Sequence, residues 1–587
     1  MANSFLAPCS LRIKRFLNHG VFRRSFVSMV RRVDIALENT ATLQEKSVRK
    51  VSLKKQPTRT PFTRLYSTEA GIVHSKYTVD IPEQSVTEFV TSKFREYGDD
   101  IAVIDGSSER TYTYNELSAL IEKLGSALTK RGFKKGDVLA VFLPNVPEYS
   151  ILFFGVIALG GVVTTLNPTL TEMESAYQLK DAGAKYIVTV PPIADKAKKA
   201  ALEVGIRDVF VIGEAEGCEP LATLLNDDGS AFPSKVPVSP KGDICVMPYS
   251  SGTTGFPKGV MITHHILVAQ TCMLSHEAYR SHPLRGTALG LLPFFHVFGM
   301  VAIMAQYLMR GGKIICMQQF DGKEMLRLIQ DYKIHCICIV PPIVTFLTKS
   351  PLVANYDLTS LDTIVSGAAP LGKELTVALK DRFPFVANIG QGYGMTESGA
   401  TISPRNEWKP GSSGTVLPNL QAKVVDVQTG EPLGPNQSGE VCIKGPGVMK
   451  GYLNNQKATA ESITPDGWFH SGDIGYYDKD GHFYIVDRIK DLIKFKGFPV
   501  APAELEALLH THPKVMDVAV IGIPHESAGE VPKAFVVPKG EVTETEIIEF
   551  VAERVAPHKK LTGGVAFVEQ ITKTASGKIL KRELRNL

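Results

Sequence analysis

The sequence predicts an α/β protein: a large N-terminal domain built on mostly parallel sheets, a β-rich subdomain at its end, and a small α+β C-terminal domain. Three observations carry this. Short β-rich runs alternate with helical stretches from about residue 100 onward, the pattern of parallel strands covered by helices. From about residue 415 the texture changes to strand-like segments divided by turn signals. The last ~100 residues then have a strand and helix pattern of their own, a length that suits a separate small domain. A chain of 587 residues is also too long for one ordinary core and suits two or three domains.

The early strands are "IAVID" (101–105), "VLAVFLP" (138–144), "KYIVTV" (185–190) and "DVFVIG" (208–213). Between the first two, "TYNELSALIEKLGSALTKRG" (113–132) reads as a helix that Thr113 can cap, with Glu116 three residues on. The longest apolar stretch, "ILFFGVIALGGVVTTL" (151–166), is too short and too interrupted by Gly and Thr for a membrane span. It reads as a buried helix running toward a strand. "AFPSKVPVSPKGD" (231–243) is rich in Pro, Ser and Lys and reads as a linker inside the large domain. "QAKVVDV", "GEVCIKG" and "HFYIVDR" are the later strands, with turn signals at Thr429-Gly430 and Asp480-Gly481. "APAELEALLHTHP" then reads as a helix with Pro502 in its first turn.

An apolar content of 44% and a charged content of 21% are those of a globular protein. The eight cysteines are scattered with no C-x-x-C pair, so their spacing signals neither a zinc site nor a disulfide framework. The net charge of +5 is unevenly placed: residues 1–66 hold 14 Lys and Arg against three acids, leaving 65 − 14 = 51 basic and 60 − 3 = 57 acidic residues, net −6. That remainder does not suit a nucleic-acid stripe. Between Arg12 and Val33 there are seven cations and no acid, mixed with Phe, Leu, Val and Ser. This is the composition of a mitochondrial transit peptide. Arg64-Leu65-Tyr66-Ser67 resembles the matrix-protease pattern of Arg, any residue, aromatic, Ser. The expectation is import into the mitochondrial matrix through the mitochondrial import machinery. A basic tail binding anionic surfaces is the alternative, and peroxisome and cytosol are the alternative locations; "LRNL" is a poor peroxisomal address.

One segment carries chemistry by itself. In "DICVMPYSSGTTGFPKGVMITHH" (243–265) a strand-like run leads into Ser250, Ser251, Gly252, Thr253, Thr254, Gly255 and Lys258. Hydroxyls, glycines and one lysine make a loop able to wrap phosphate. The glycine spacing and Pro257 exclude a Walker A loop. A flexible Gly/Ser linker is the competing reading, but a linker has no need of a preceding buried strand.

"YSSGTTGFPKGV" resembles the phosphate loop of the adenylate-forming superfamily of acyl-CoA synthetases, luciferases and peptide-synthetase adenylation domains. "PFFHVFGM" (293–300), "SGAAPLGKEL" (366–375), "QGYGMTE" (391–397), "GEVCIKG" (439–445), "HSGDIGYYDKDG" (470–481), "DRIKDLIKFKGFPVAPAELE" (487–506) and "TASGKILKREL" (574–584) each match a family segment in order. The resemblance spans roughly residues 75 to 587 and is closest to the 4-coumarate–CoA ligase-like branch. With the transit segment expected at 1–66 from its composition, the resemblance implies an N-terminal AMP-binding domain at 67–489 and a mobile C-terminal domain at 490–587, hinged at Lys490.

The implied reaction has two steps. A carboxylate attacks the α-phosphate of ATP, giving acyl-AMP and pyrophosphate; the thiol of coenzyme A then displaces AMP. By resemblance, Ser250 to Gly255 and Lys258 hold the β- and γ-phosphates. Gln391, Gly392 and Tyr393 lie at the adenine, Ala368 lies against the nucleotide, Thr396 touches the α-phosphate and Glu397 helps hold Mg²⁺. Asp473 and Arg488 take the ribose, and Lys578 bridges carboxylate and α-phosphate. Lys494, Lys496 and Gly497 swing in for the thioester step, Lys494 meeting AMP and the other two coenzyme A. His296 and Phe298 belong to the acyl pocket. On composition alone His296 is a core histidine, Asp473 a turn residue and Lys578 one of several terminal lysines.

Phe298 stands where phenylpropanoid-using ligases typically have Tyr, which removes a phenolic hydrogen-bond partner. After Glu397, "SGATISPRNEW" is more polar than the branch pattern. Pro499 replaces a Gln common in relatives. The expected function is ATP-dependent ligation of a fatty or other apolar acid to coenzyme A. The alternatives are a 4-coumarate-type aromatic acid, acyl transfer to a carrier-protein thiol, a luciferase-type oxygenase, and a non-enzymatic scaffold.

Overall fold

The structure, a computed structural model, describes residues 67–69, 71–250, 257–279, 285–404, 409–496, 498–574, 577–585 and 587. The expected transit segment 1–66, residues Ser251, Gly252, Thr253, Thr254 and Gly255 of the phosphate loop, and Gly497 lie outside them.

Two mostly parallel sheets form the large domain. In one, Val162–Thr165, Val138–Val141, Ala184–Thr189 and Asp208–Val211 run parallel, and Ile244–Ser250 pairs parallel with Val162–Thr165. In the other, Asn388–Gln391, Thr363–Ser366, Cys336–Ile339, Thr287–Gly290, Lys313–Cys316 and Ile101–Asp105 run parallel in that order, with Thr111–Thr113 antiparallel at the edge. Both are covered by helices, and their facing sides share one apolar core. The alternation of β-rich runs and helices expected from the sequence is therefore present.

Local sequence accounts for these elements. The helix Tyr114–Lys130 begins at Thr113, whose hydroxyl accepts from the Glu116 backbone N–H while the Glu116 carboxylate accepts from the Thr113 N–H. Such a cap stabilises a helix by about 1 kcal/mol. Glu148–Ala158 is buried along nearly its whole length and leads into Val162–Thr165. Its Gly155 permits that packing, since a Cβ there would lie 2.7 Å from Leu124 Cδ2. Among the described residues, no helix is long and apolar enough to cross a membrane.

The β-rich texture after residue 415 is an antiparallel sheet in the order Ser67–Glu69, Ile72–His74, Gln421–Val425, Gly439–Lys444, Phe469–Tyr477, Phe483–Arg488. Past it, a short turn at Ile489–Asp491 leads to Ile493–Phe495 and then to Phe498–Val500. These strands join Gly529–Pro538, Val515–His525 and Val565–Phe567. The helix Pro502–Leu509, with Pro502 at its first position, packs on this sheet. Ile493, Leu505, Val518, Val536 and Ile547 belong to a separate small core. Pro499 lies on the edge strand, where a missing N–H costs no sheet hydrogen bond.

Candidate active site

Functional side chains gather where the parallel strands of the second sheet end, which is where ligands bind in open α/β sheets. Strand Thr363–Ser366 runs into Gly367 and Ala368, and strand Asn388–Gln391 into Gly392 and Tyr393. Ala368 has φ +67°, a left-handed conformation that a side chain disfavours. Strain of this kind concentrates at functional sites.

Two compartments meet at this point. The first is a largely apolar cavity of about 100 Å³. Its walls include His296, Phe298 and Val301, contributed by the loop before and the start of a π-helical stretch, Phe298–Ala305. Local π-helical turns are often found at such sites. The Phe298 ring rests on Gly367, where a Cβ would come within 2.6 Å of it. His296 Nδ1 accepts the Phe298 N–H at 3.3 Å, so its ring proton belongs on Nε2. Burial pushes its pKa down to about 4, and it is neutral at physiological pH. Two of the polar groups in the wall have protein partners. Tyr279 donates to the Val416 carbonyl at 2.6 Å and Gln306 Nε2 to the Leu274 carbonyl at 2.9 Å.

The second compartment, about 90 Å³, shares Ala368, Gly392, Tyr393 and Gly394 with the first and is polar at its far end. There the buried Asp473 accepts from the Tyr393 hydroxyl at 2.9 Å through Oδ2. Its Oδ1 lies 3.1 Å from Arg488 Nε, yet without hydrogen-bond alignment, and has no other partner. A buried, paired carboxylate with one oxygen unengaged is ready to accept from a ligand hydroxyl. Burial raises the Asp473 pKa, and the Arg488 charge and the Tyr393 hydroxyl oppose that rise. Gln391 lines the compartment, but its amide is largely committed: Oε1 accepts the Leu371 N–H at 2.5 Å and Nε2 donates to Ser413 Oγ at 3.0 Å. Gln391 thus holds the 366–371 loop in place.

Ser250 and Lys258 are direct partners across two antiparallel strands. Ser250 Oγ is buried without a hydrogen-bond partner, an orphan that a phosphate oxygen could satisfy. Lys258 Nζ sits 4.6 Å above the Tyr452 ring, and the Tyr452 hydroxyl donates to Glu397 Oε1 at 3.0 Å. Burial and the Glu397 charge raise the Tyr452 pKa, which keeps it a donor. Thr396 is buried beside Glu397. The Glu397 carboxylate, near Lys258 through the Tyr452 ring, has the oxygen chemistry that Mg²⁺ takes.

Lys578 completes the group. Its N–H donates to Thr574 Oγ1 at 3.0 Å, and the preceding Gly577, at φ +79°, sits so close to the large domain that a Cβ would meet Val340 at 2.9 Å. Burial, together with the Arg488 and Lys490 charges and against those of Asp491 and Asp473, brings the Lys578 pKa down to about 8. The lysine is therefore within electrostatic reach of Asp473 and Arg488. Burial also lowers the pKa of Lys490, in the short turn between the domains.

Lys494 and Lys496 are not brought to this site. Both are exposed on the small domain. The Lys494 N–H is held by Glu530 at 2.9 Å, and Lys496 has φ +47° and donates its N–H to the Ala528 carbonyl at 2.7 Å. The chain bends at Ile489–Asp491, which sends the cations after Arg488 onto a different sheet. Motif reading missed Tyr452, Ser413 and Asp487. Asp487 lines the second compartment and accepts the Ala503 N–H from the small domain at 2.8 Å. Asp487 opens the 487–506 segment without a role of its own there, whereas Tyr452 and Ser413 carry no local pattern and only the fold places them here.

The sequence pattern described as AMP-binding enzyme matches residues 90–453, and that of the AMP-binding enzyme C-terminal domain matches residues 504–578. A 4-coumarate–CoA ligase of Pinus taeda is 44% identical over 507 residues, covering 84% of this chain and 92% of that protein. A probable 4-coumarate–CoA ligase of Dictyostelium discoideum is 39% identical, covering 87% and 97%. Among solved structures, ATP-bound MatB from Rhodopseudomonas palustris has a TM-score of 0.76 at 28% identity, covering 86% of this chain and 99% of its own.

Proposed function

From the premise that this chain belongs to the family of AMP-binding enzymes, we propose the roles of its residues and the acid it takes. It is an ATP-dependent acid–CoA ligase that works through an acyl-adenylate. The observation that carries the assignment of roles is the junction at Ala368, Gly392 and Tyr393, shared by an apolar compartment and a polar one whose Asp473 and Arg488 lie within electrostatic reach of Lys578.

The acid's hydrocarbon part fills the apolar compartment, and its carboxylate comes to the junction near the neutral His296. Adenosine occupies the polar compartment, with Asp473 and Arg488 on the ribose. The triphosphate lies beside Ser250 and Lys258. Glu397 would hold Mg²⁺ there, and the bound ion would neutralise phosphate charge. Lys578, charged, draws the carboxylate and α-phosphate together and stabilises the negative charge that grows on phosphorus. No group on the protein is acylated. After pyrophosphate leaves, Lys578 withdraws and the face carrying Lys494 and Lys496 brings in coenzyme A. The exposed position of those lysines while Lys578 is docked agrees with this alternation.

We assign the acid as apolar, because the cavity wall is largely apolar and two of its polar groups, Tyr279 and Gln306, are already engaged by the protein. A 4-coumarate-type acid is the second reading, favoured by the 44% identity to the Pinus taeda ligase. Acid-dependent pyrophosphate exchange with aliphatic and hydroxycinnamic acids separates the two; preferential exchange with the hydroxycinnamic acids overturns the first. Lys578→Ala is expected to lose this exchange yet still convert supplied acyl-AMP to thioester, and equal loss of both steps refutes the role given to Lys578. Matrix location is proposed from the acid-poor N-terminus and the cleavage pattern before Ser67. Import assayed on isolated mitochondria, with loss of the leader, tests it.

A further inference from the structure

The strand that carries Asp473 is braced by three side chains of a different kind. Gly439–Lys444 and Phe469–Tyr477 are antiparallel neighbours, and Cys442 and His470 are direct partners across them. Cys442 Sγ lies 3.5 Å from His470 Nδ1, and Glu440 Oε2 lies 2.8 Å from the same nitrogen. The three ligand atoms all fall within 4.8 Å of one another. Bond lengths of about 2.05 Å to nitrogen and 2.3 Å to sulfur place those atoms about 3.6 Å apart around a tetrahedral zinc. The sulfur and nitrogen are thus already at that spacing. A nitrogen and a carboxylate oxygen should be about 3.4 Å apart, which asks Glu440 Oε2 to retreat by roughly 0.6 Å, a small side-chain rotation.

We propose that Glu440, Cys442 and His470 bind a divalent transition metal of the zinc class, with water as fourth ligand. Thiolate, imidazole and carboxylate select zinc or cobalt over magnesium or calcium. On binding, the Cys442 thiol gives its proton to solvent as the sulfur–metal bond forms. Any proton that His470 shares with Glu440 through Nδ1 is carried on Nε2 instead. Cys442 is fully buried, while the His470 side chain is 34% exposed, so the ion enters from the histidine side. Lys423 and Lys444 stand near this face, 4.5 and 5.8 Å from the centre of the Trp468 ring. Their charge opposes the ion and makes the site exchangeable.

Occupancy acts on the nucleotide side. Glu440 Oε1 accepts the Gly472 N–H at 2.9 Å, and the Asp473 N–H is held by Ser471 Oγ at 3.0 Å. Rotating Glu440 to admit the metal loosens its hold on Gly472 in this irregular stretch of the strand, and with it the Asp473 carboxylate. This consequence, unlike the site itself, rests on the reading of Asp473 as a ribose partner.

Titration of the purified full chain with Co²⁺ tests the site. A thiolate-to-cobalt band in the near ultraviolet is expected, saturating at one ion per chain, displaced by Zn²⁺, lost in Cys442→Ser and in His470→Ala, and retained in Cys218→Ser. Absence of the band from the wild-type protein overturns the proposal without recourse to any variant, as does a band that survives in Cys442→Ser. In steady-state assays Zn²⁺ should raise the KM for ATP several-fold in wild type and leave it unchanged in Cys442→Ser. An unchanged wild-type KM at full occupancy, with the band present, overturns the coupling to the nucleotide.

Discussion

Lys578 makes adenylation depend on pH in a way that can be worked from its surroundings. An ordinary lysine has a pKa of 10.5; in the docked position burial and two neighbouring cations bring it to about 8. That gap corresponds to ~3 kcal/mol in favour of the neutral amine. The sign follows directly. The docked lysine binds its proton less tightly than an undocked one, so docking without nucleotide releases a proton between pH 8 and pH 10.5 and is opposed most strongly below pH 8. The role proposed for Lys578 needs the charged form, which is about 90% populated at pH 7 and about 10% at pH 9 for a pKa near 8. The kcat/KM for ATP in pyrophosphate exchange should therefore be level below pH 8 and fall about tenfold per pH unit above it. His296, held at about 4, is neutral throughout and adds no limb. Lys578→Arg keeps a charge at every accessible pH, so its profile should be flat on a lower plateau. An alkaline limb of the same position in wild type and Lys578→Arg would refute the argument, because the titrating group would then lie elsewhere.

Three further outcomes are expected. Tyr452→Phe keeps the ring under Lys258 but removes the donor to Glu397, a change of about 0.5–1.5 kcal/mol; the KM for ATP should rise by roughly two- to twelvefold, while thioester formation from acyl-AMP is unaffected. Gly367→Ala places a Cβ within 2.6 Å of the Phe298 ring. It should raise the KM for the acid more than that for ATP and destabilise the fold by about 1–3 kcal/mol. Gln391→Leu leaves the buried Leu371 N–H without its acceptor and frees Ser413; a urea midpoint shift corresponding to about 1–3 kcal/mol is expected, with the KM for ATP rising as the 366–371 loop loosens.

What the sequence determined by itself was local or ordered along the chain. Thr113 and Glu116 form their cap because both lie within one helical turn, and Pro502 opens its helix because its own ring sets φ. The β-rich runs and helical stretches became parallel strands and covering helices because side-chain periodicity selects the face each element buries. The ordered motifs likewise pointed to the reaction. Tertiary structure alone decided the constellations. Tyr452 reaches Glu397 across 55 residues, Gln391 spends its amide on its own loop, and the bend at Ile489–Asp491 parts Arg488 from Lys494. Spacing along the chain offered no hint of Glu440, Cys442 and His470 as a group, because the register of two strands brings His470 beside Cys442 from 28 residues away. The physical reason is the same in each case. Backbone propensity depends on near neighbours, whereas the meeting of distant side chains depends on sheet register and close packing, which no local pattern contains.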